Sequence, residues 1–322
     1  MAKTQAPCHC EECGWTTLKW AGRCGECQSW GTVVEVAAPT ARSKQVKAVV
    51  PLGEGVARPI TEFSGEDSGH QPTGVGEFDR VLGGGVVPGA VILLSGEPGV
   101  GKSTLLLDVA AKVAANNKTV LYVSAEESAG QVHLRATRTG GLHERLLLAN
   151  DMDLGVVLGH IQSNKPDLVV IDSVQTLSSG LIDGSAGGVA QVREVAATLI
   201  RVAKETTVPI ILVGHVTKDG QVAGPRTLEH LVDVVCQFEG DRQTALRFVR
   251  ALKNRFGPTD EVGCFEMSGD GILEVPDPSG LFRSGSGEPV SGTCTTIALE
   301  GRRALPVEVQ ALVVPSGAPQ PR

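Results

Sequence analysis

Nine consecutive residues carry the sharpest chemical signal in this chain: Gly96, Glu97, Pro98, Gly99, Val100, Gly101, Lys102, Ser103 and Thr104. They satisfy the pattern G-x-x-x-x-G-K-[ST]. The stretch before them, 90–95 (AVILLS), is apolar and reads as a buried strand. The stretch after them, Lys102–Ala115, reads as a helix rich in Leu, Val and Ala. Glycine permits positive φ, so the backbone can wrap around a ligand. Backbone N–H groups and a helix N-terminus both favour negative charge. A strand, such a loop and a helix together make a phosphate cradle, so the nine residues are read as an ATP site. Lys102 is placed to reach the β- and γ-phosphates and Ser103 to ligate Mg²⁺.

A phosphate cradle of this kind needs a second contact to Mg²⁺ from an acid at a strand end. Asp172 closes the apolar run LVVID and is the candidate. Ser173 and Gln175 follow it on the expected nucleotide face. Hydrolysis also needs a group that can take a proton from water. YVSAEES puts Glu126 and Glu127 directly after another apolar run. Spacing alone does not separate the two, and a pair of solvated acids opening a helix fits the same pattern. His215 ends a further apolar run and is placed either to sense the γ-phosphate or to make a structural hydrogen bond.

A different chemistry is written at the N-terminus. Cys10, Cys13, Cys24 and Cys27 form two Cys-x-x-Cys pairs ten residues apart. Four thiolates at knuckle spacing suit tetrahedral Zn²⁺. Cys8 and His9 are extra candidate ligands, although the symmetry of the two pairs argues against them. Cys236, Cys264 and Cys294 stand alone in apolar runs and are expected to be buried structural thiols.

A basic cluster, Arg242, Arg247, Arg250, Lys253 and Arg255, ends in KNRFG. A solvated strand face explains it as well as a phosphate-reaching pair formed by Lys253 and Arg255. Two loops complete the signals. SSGLIDGSAGG (178–188) is Gly-rich and expected to be flexible. The segment 215–230 holds Lys218 and Arg226. Both loops follow strand ends, where ligands of parallel sheets bind.

The elements that must position these groups are legible in outline. Apolar runs at 119–124, 167–172 and 208–214 join 90–95 as strands. Between them lie helical stretches such as Val189–Thr206, whose apolar positions recur at three and four. Apolar strands separated by helices indicate an α/β fold with a mostly parallel sheet covered on both faces. The stretch 228–275 is β-like and is expected to add antiparallel edge strands. The expected organisation is a Cys₄ knuckle at 1–36, a linker at 37–58, an ATPase domain at 59–277 and a short strand-like segment at 278–322.

Composition sets the outer limits. Of 322 residues, 41% are hydrophobic and 20% charged, which excludes wholesale disorder. Formal net charge is −7, so no overall basic coat for nucleic acid exists, although local patches are not excluded. No apolar run is long enough for a membrane-spanning helix, and no secretory leader is visible. Five of the eight cysteines fall in the first 27 residues, which fits a metal site in a reducing cytoplasm better than a disulfide-stapled fold.

Taken together, the knuckle, GEPGVGKST, YVSAEES, LVVIDSVQT, VGHVTKDG and KNRFG resemble the RadA (Sms) family of bacterial DNA repair proteins, within the RecA/DnaB ATPase superfamily. The resemblance runs from about residue 8 to the end, and TGVGEFDRVLGGGVVPG (73–89) is similar to the family's entry segment. It implies a RecA-like core in a homo-hexameric ring, with ATP between neighbouring subunits. It assigns Glu126 as the catalytic glutamate and Asp172 as the Walker B acid. Lys253 and Arg255 would act on the neighbour's ATP, and the loops at 178–188 and 215–227, with Lys218 and Arg226, would contact single-stranded DNA. The implied activity is DNA-dependent ATP hydrolysis with DnaB-like helicase action, promoting branch migration of recombination intermediates alongside the RecA recombinase. Family members continue into a Lon-protease-like domain, of which about 279–322 covers only the first strands. Three other readings compete. They are an ATP-switched scaffold like the KaiC proteins, an ATP-dependent protease, and a knuckle that docks proteins only.

Overall fold

The computed structural model describes residues 8–35, 57–62, 69–215, 226–240, 245–278 and 291–312. The expected linker at 37–58 therefore lies outside the described residues except for its last two. The chain divides into two units, residues 1–63 and 64–322.

The first unit is a small three-stranded antiparallel sheet of β1 (Cys8–Cys10), β2 (Thr16–Thr17) and β3 (Val33–Glu35), in the order β2-β1-β3. Its apolar centre is Cys8, Cys10, Cys24 and Val33, with Trp15 packed against them. So few side chains bury little area, and a domain this small needs a metal or another crosslink to hold its shape.

The second unit follows the alternation read from the sequence. After α1 (Gly76–Leu82) come β4 (Val91–Gly96), α2 (Lys102–Ala115), β5 (Val120–Ser124), α3 (Ala129–Arg138), β6 (Leu146–Ala149), α4 (Leu154–Asn164), β7 (Leu168–Asp172), α5 (Val189–Thr206) and β8 (Ile210–His215). Then come α6 (Arg226–Glu229), β9 (Val234–Gly240), β10 (Leu246–Asn254), β11 (Val262–Ser268) and β12 (Gly271–Glu274). Strands β4 to β12 form one sheet in the order β12-β11-β10-β9-β4-β8-β7-β5-β6. The six strands from β9 to β6 in that order run parallel, and β10 to β12 are antiparallel. The expectation for 228–275 is thus corrected at β9, which pairs parallel to β4. The sequence reading does not place α3, β6 or α4.

Side chains alternate across each strand. Ile92 and Leu94 of β4 enter one core with α1, α2 and α3, and Val91 and Leu93 enter the other with α4, α5 and α6. Helix α5 buries Val192, Val195, Ala196, Leu199 and Ala203, the three-four spacing that marks it in the sequence. Helix α3 starts with a capping box in which Ser128 and Gln131 bond each other's backbone N–H.

The C-terminal segment is a hairpin of β13 (Thr293–Glu300) and β14 (Arg303–Gln310). Arg303 anchors its turn, donating to the buried Glu77 carboxylate (2.5 Å) and to the carbonyls of Val262 (3.0 Å) and Val275 (3.1 Å). Beyond the turn, Ile297, Leu299 and Val309 are exposed among the described residues. The expectation of buried thiols holds for Cys236 and Cys264 but not for Cys294. Cys294 alternates as in a covered strand, but among the described residues no second layer packs over the hairpin there.

Candidate functional site

Strand β4 ends at Gly96, the loop 97–101 turns, and α2 begins at Lys102. Two glycines make the turn possible. Gly101 has φ +111°, and a Cβ at Gly96 would lie 2.4 Å from the Phe238 carbonyl oxygen of β9. Glu97, Pro98 and Gly99 are exposed, and Ser103 and Thr104 are half-buried in the first helical turn. Lys102 is 3% exposed, and its ammonium donates to the carbonyls of Gly96 (2.8 Å) and Glu97 (2.9 Å). Burial pushes its pKa down, while the charges of Asp172 and Glu126 pull it back up. Arg247 of β10 donates to the Val100 carbonyl (3.1 Å), so one member of the basic cluster braces the loop.

The carboxylates converge at the same strand ends. Asp172 is buried and accepts a hydrogen bond from the Tyr122 hydroxyl (2.8 Å). Burial first, and then the Asp172 charge, push the Tyr122 phenol well above its usual pKa, so it stays a donor. Glu126 accepts from the Ser173 hydroxyl (2.5 Å) and lies 3.0 Å from His215 Nε2. The His215 hydrogen bond is the largest influence on Glu126. Desolvation opposes it, and Ser173 and the charges of His215 and Lys102 add to it, leaving the carboxyl at about 2. Because this lies below the usual 4.5, the folded state gains stability above that pH and loses it as pH falls toward about 2. Glu127 turns away to pair with Arg135. The structure therefore separates the two glutamates that spacing left equal. Asn150 holds the turn between them, donating to the carbonyls of Ser124 (2.7 Å) and Glu127 (2.6 Å). Gln175 donates to the His215 carbonyl (3.4 Å), while Gln175 Oε1 and His215 Nδ1 are buried without partners among the described residues.

Lys253 and Arg255 stand elsewhere. Asn254 pairs with Val234, which pairs with Ile92, whereas the loop leaves from Gly96. At about 3.3 Å per residue, that difference in register puts KNRFG about 13 Å down the sheet from its own phosphate cradle. Lys253 donates to the carbonyls of Glu229 (2.8 Å) and Val232 (2.7 Å). Arg255 is paired with the buried Asp233 (3.0 Å), yet its side chain is 54% exposed. Asp233 also accepts from Lys204 (2.8 Å) and the Val91 N–H (3.0 Å). One carboxylate thus joins Arg255 to the strand that leads into the cradle. Arg250 pairs with Glu239 at 3.5 Å, and Arg242 lies outside the described residues.

Lys218 also lies outside the described residues, and Arg226 is described only as the first residue of α6. The loop at 178–188, expected to be flexible, is tied to α5. The buried Gln191 donates to the carbonyls of Ser179 (3.1 Å) and Ile182 (2.8 Å) and accepts from the Ser179 N–H (2.8 Å). Sequence reading missed Tyr122, Asn150, Asp233 and Gln191. Tyr122 alone left a signal, because a single tyrosine inside an apolar strand must find a partner for its hydroxyl.

The four knuckle thiols meet in the first unit. Their sulfurs all lie within 4.8 Å of one another, with Cys10–Cys27 at 3.7 Å and Cys13–Cys24 at 3.5 Å. A tetrahedral ion with Zn–S bonds of about 2.3 Å places its sulfurs about 3.8 Å apart, so this donor set fits zinc. Cys8 and His9 are not members of the cluster.

A phosphate cradle, an acid closing β7 two strands away and a water-facing glutamate define a P-loop ATP hydrolase joined to a four-cysteine zinc ribbon. The comparisons agree. Residues 77–221 match the family described as an AAA domain, and residues 9–35 match the rubredoxin metal binding domain. A KaiC-like protein from Pyrococcus horikoshii superposes with TM-score 0.53 at 20% identity, covering 65% of this chain and all of that one. A second solved structure, described as an ATPase domain, superposes with TM-score 0.56 at 16% identity, covering 65% and 92%. The DNA repair protein RadA of Mycolicibacterium smegmatis is 52% identical across the whole of this chain, which spans 70% of that relative. RadA of Listeria monocytogenes is 46% identical over 95% of this chain and 67% of its own length. RadA of Bacillus subtilis is 43% identical over all of this chain and 71% of its own. The chain belongs to the RadA family of DNA repair proteins and is an ATPase of that family.

Two outcomes follow from this geometry. Acid digestion and metal analysis will find one zinc per chain, released when a thiol-reactive mercurial titrates the knuckle cysteines; absence of metal would refute the ribbon assignment. Tyr122→Phe removes a buried hydrogen bond to a charged group and will lower stability by about 1.5–3 kcal/mol in urea unfolding. An unchanged midpoint would show that Asp172 does not depend on it.

Proposed function

We propose that this chain is a single-stranded-DNA-dependent ATPase of recombinational repair, working in the cytoplasm as a homo-hexameric ring. It promotes branch migration and unwinding of recombination intermediates, alongside the RecA recombinase. The observation that supports this most is the separation of the phosphate cradle and the exposed Arg255 to opposite ends of one sheet. Lys102, Asp172 and Glu126 gather at the phosphate cradle, while the exposed Arg255 sits at the far end of the same sheet. In one chain they cannot meet, but in a ring the far end of one subunit can face the cradle of the next.

In this reading the loop N–H groups and Lys102 hold the β- and γ-phosphates, Lys102 exchanging its two carbonyl partners for phosphate oxygens. Ser103 and Asp172 hold Mg²⁺, which when bound neutralises charge on the phosphate oxygens. Glu126, ionised at neutral pH, orients the attacking water and accepts its proton. Ser173 and His215 keep its carboxylate aimed. Arg255, with Lys253, stabilises charge on the neighbour's γ-phosphate. Lys218, Arg226 and the loop at 178–188 line the channel and meet the DNA backbone. The hairpin β13–β14 is read as the opening of a Lon-protease-like domain.

The test is ATP turnover with and without single-stranded DNA, with Lys102→Ala as the blank. DNA will raise the rate at least several-fold, and Lys102→Ala will abolish turnover. A DNA-independent rate would favour the scaffold reading. Arg255→Ala will keep nucleotide affinity and lose about a hundredfold or more in turnover. Mixing it with Lys102→Ala chains will restore part of the rate, because each supplies what its neighbour lacks. If the mixture stays inactive, Arg255 does not act across a subunit boundary.

A further inference from the structure

The three tryptophans of the chain all lie in the zinc ribbon, and they have different surroundings. Trp15 is a core residue. It packs against the buried cysteines and Val33, and a Cβ on Gly25 would sit 2.6 Å from its ring. Trp20 and Trp30 are 63% and 75% exposed. They are not scattered. A Cβ at Gly22 would lie 3.7 Å from the Trp20 ring and 3.9 Å from the Trp30 ring, so both rings approach one point on the surface.

The hairpin that carries Cys24 and Cys27 fixes this pair. Gly31 N–H donates to the Gly22 carbonyl (2.9 Å), Cys24 N–H donates to the Ser29 carbonyl (2.9 Å), and Arg23 bridges Trp30 across the hairpin. Arg23 Nε donates to the Gln28 carbonyl (2.9 Å), and its guanidinium lies 5.7 Å from the centre of the Trp30 ring. Lys19, next to Trp20, is exposed. The ribbon also carries the acids Glu11, Glu12, Glu26 and Glu35, so its two cations are a local feature of the indole pair and not a net positive charge: Lys19 and Arg23 flank Trp20 in sequence, and Arg23 meets Trp30 across the hairpin. Glu12 accepts from the hydroxyl of Ser29, the residue before Trp30 (2.5 Å).

Most of the surface of the two indoles is not used in packing the ribbon, whose core is closed by the cysteines, Val33 and Trp15. Flat aromatic faces beside cations are, however, what unpaired nucleobases and their phosphates require. Stacking is indifferent to base identity, and Arg and Lys meet the backbone charge. We propose that Trp20 and Trp30, with Arg23 and Lys19, form a stacking platform for single-stranded DNA bases on the zinc ribbon, separate from the ATPase domain. This rests on the reading of the chain as a single-strand binder, and assigns the ribbon a direct share in it.

The chain offers a direct readout, because its tryptophan emission comes only from this ribbon. Fluorescein-labelled oligothymidine is titrated with the full zinc-loaded chain, following DNA anisotropy, and unlabelled oligothymidine is added while tryptophan emission is followed. Anisotropy will rise, and emission will fall by up to about two thirds, the share of the two exposed rings. Trp20→Ala and Trp30→Ala will each weaken single-strand affinity at least about fivefold, and Trp20→Tyr will restore most of it. Retained zinc in each variant shows that the ribbon has folded. Anisotropy that rises with unchanged emission, or with wild-type affinity in both alanine variants, overturns this inference and leaves the single-strand reading standing. Anisotropy that does not rise overturns both. Equal quenching by a blunt duplex overturns base stacking as the mode of contact.

Discussion

The second unit is arranged around one buried cation. Lys102 is removed from water, and an ammonium there is tolerable only if its surroundings supply negative charge and acceptors. They do so from three directions: two carbonyls of its own loop, Asp172 at the end of β7 and Glu126 after β5. Meeting this requirement fixes much of the rest. Strand β4 must end beside β9 closely enough to need Gly96, and α2 must begin at Lys102 itself. The ends of β5 and β7, paired through Ser124 and Asp172, must present their acids on the same edge. The carbonyls now holding Lys102 are weaker partners than phosphate oxygens, so the site is poised to exchange them for a nucleotide.

A second carboxylate, Asp233, organises the opposite end of the sheet, where β4 begins. It is almost wholly buried, and it joins Arg255, Lys204 and the first residue of β4. Burial alone would raise its pKa, but Lys204, the Val91 N–H and Arg255 outweigh that and hold it down, so it remains charged. In the proposed ring, Arg255 would thereby be connected to the strand that leads to its own subunit's cradle. The zinc ribbon follows a different economy. Its shape depends on four sulfurs rather than on buried area, which leaves large aromatic side chains free for its surface.

Much of this was legible before the structure, and the pattern of what was not has physical causes. The cradle, α2 and α5 were read to the residue because a motif or a long three-four period specified them. The four central strands were apolar enough to stand out. Strand β6 is four residues long, too short to show a period. Spacing alone could not tell Glu126 from Glu127, because the deciding partners, Arg135, Ser173 and His215, come from three separate segments. Gln191 and Asp233 were silent for the same reason: each reads as an ordinary polar residue until the fold closes over it. Cys294 misled because alternation reports a strand, not what covers it.

The central claim is that Glu126, held ionised beside Lys102 by Ser173 and His215, is the group that activates water. Glu126→Gln tests it most directly, because it keeps the shape and removes the charge. Binding of a fluorescent ATP analogue and release of phosphate would be measured on one preparation. The account predicts nucleotide affinity within about twofold of the unaltered chain and hydrolysis lower by at least about a hundredfold. Hydrolysis near the unaltered rate would contradict it and move the search for the base to another acid of the site.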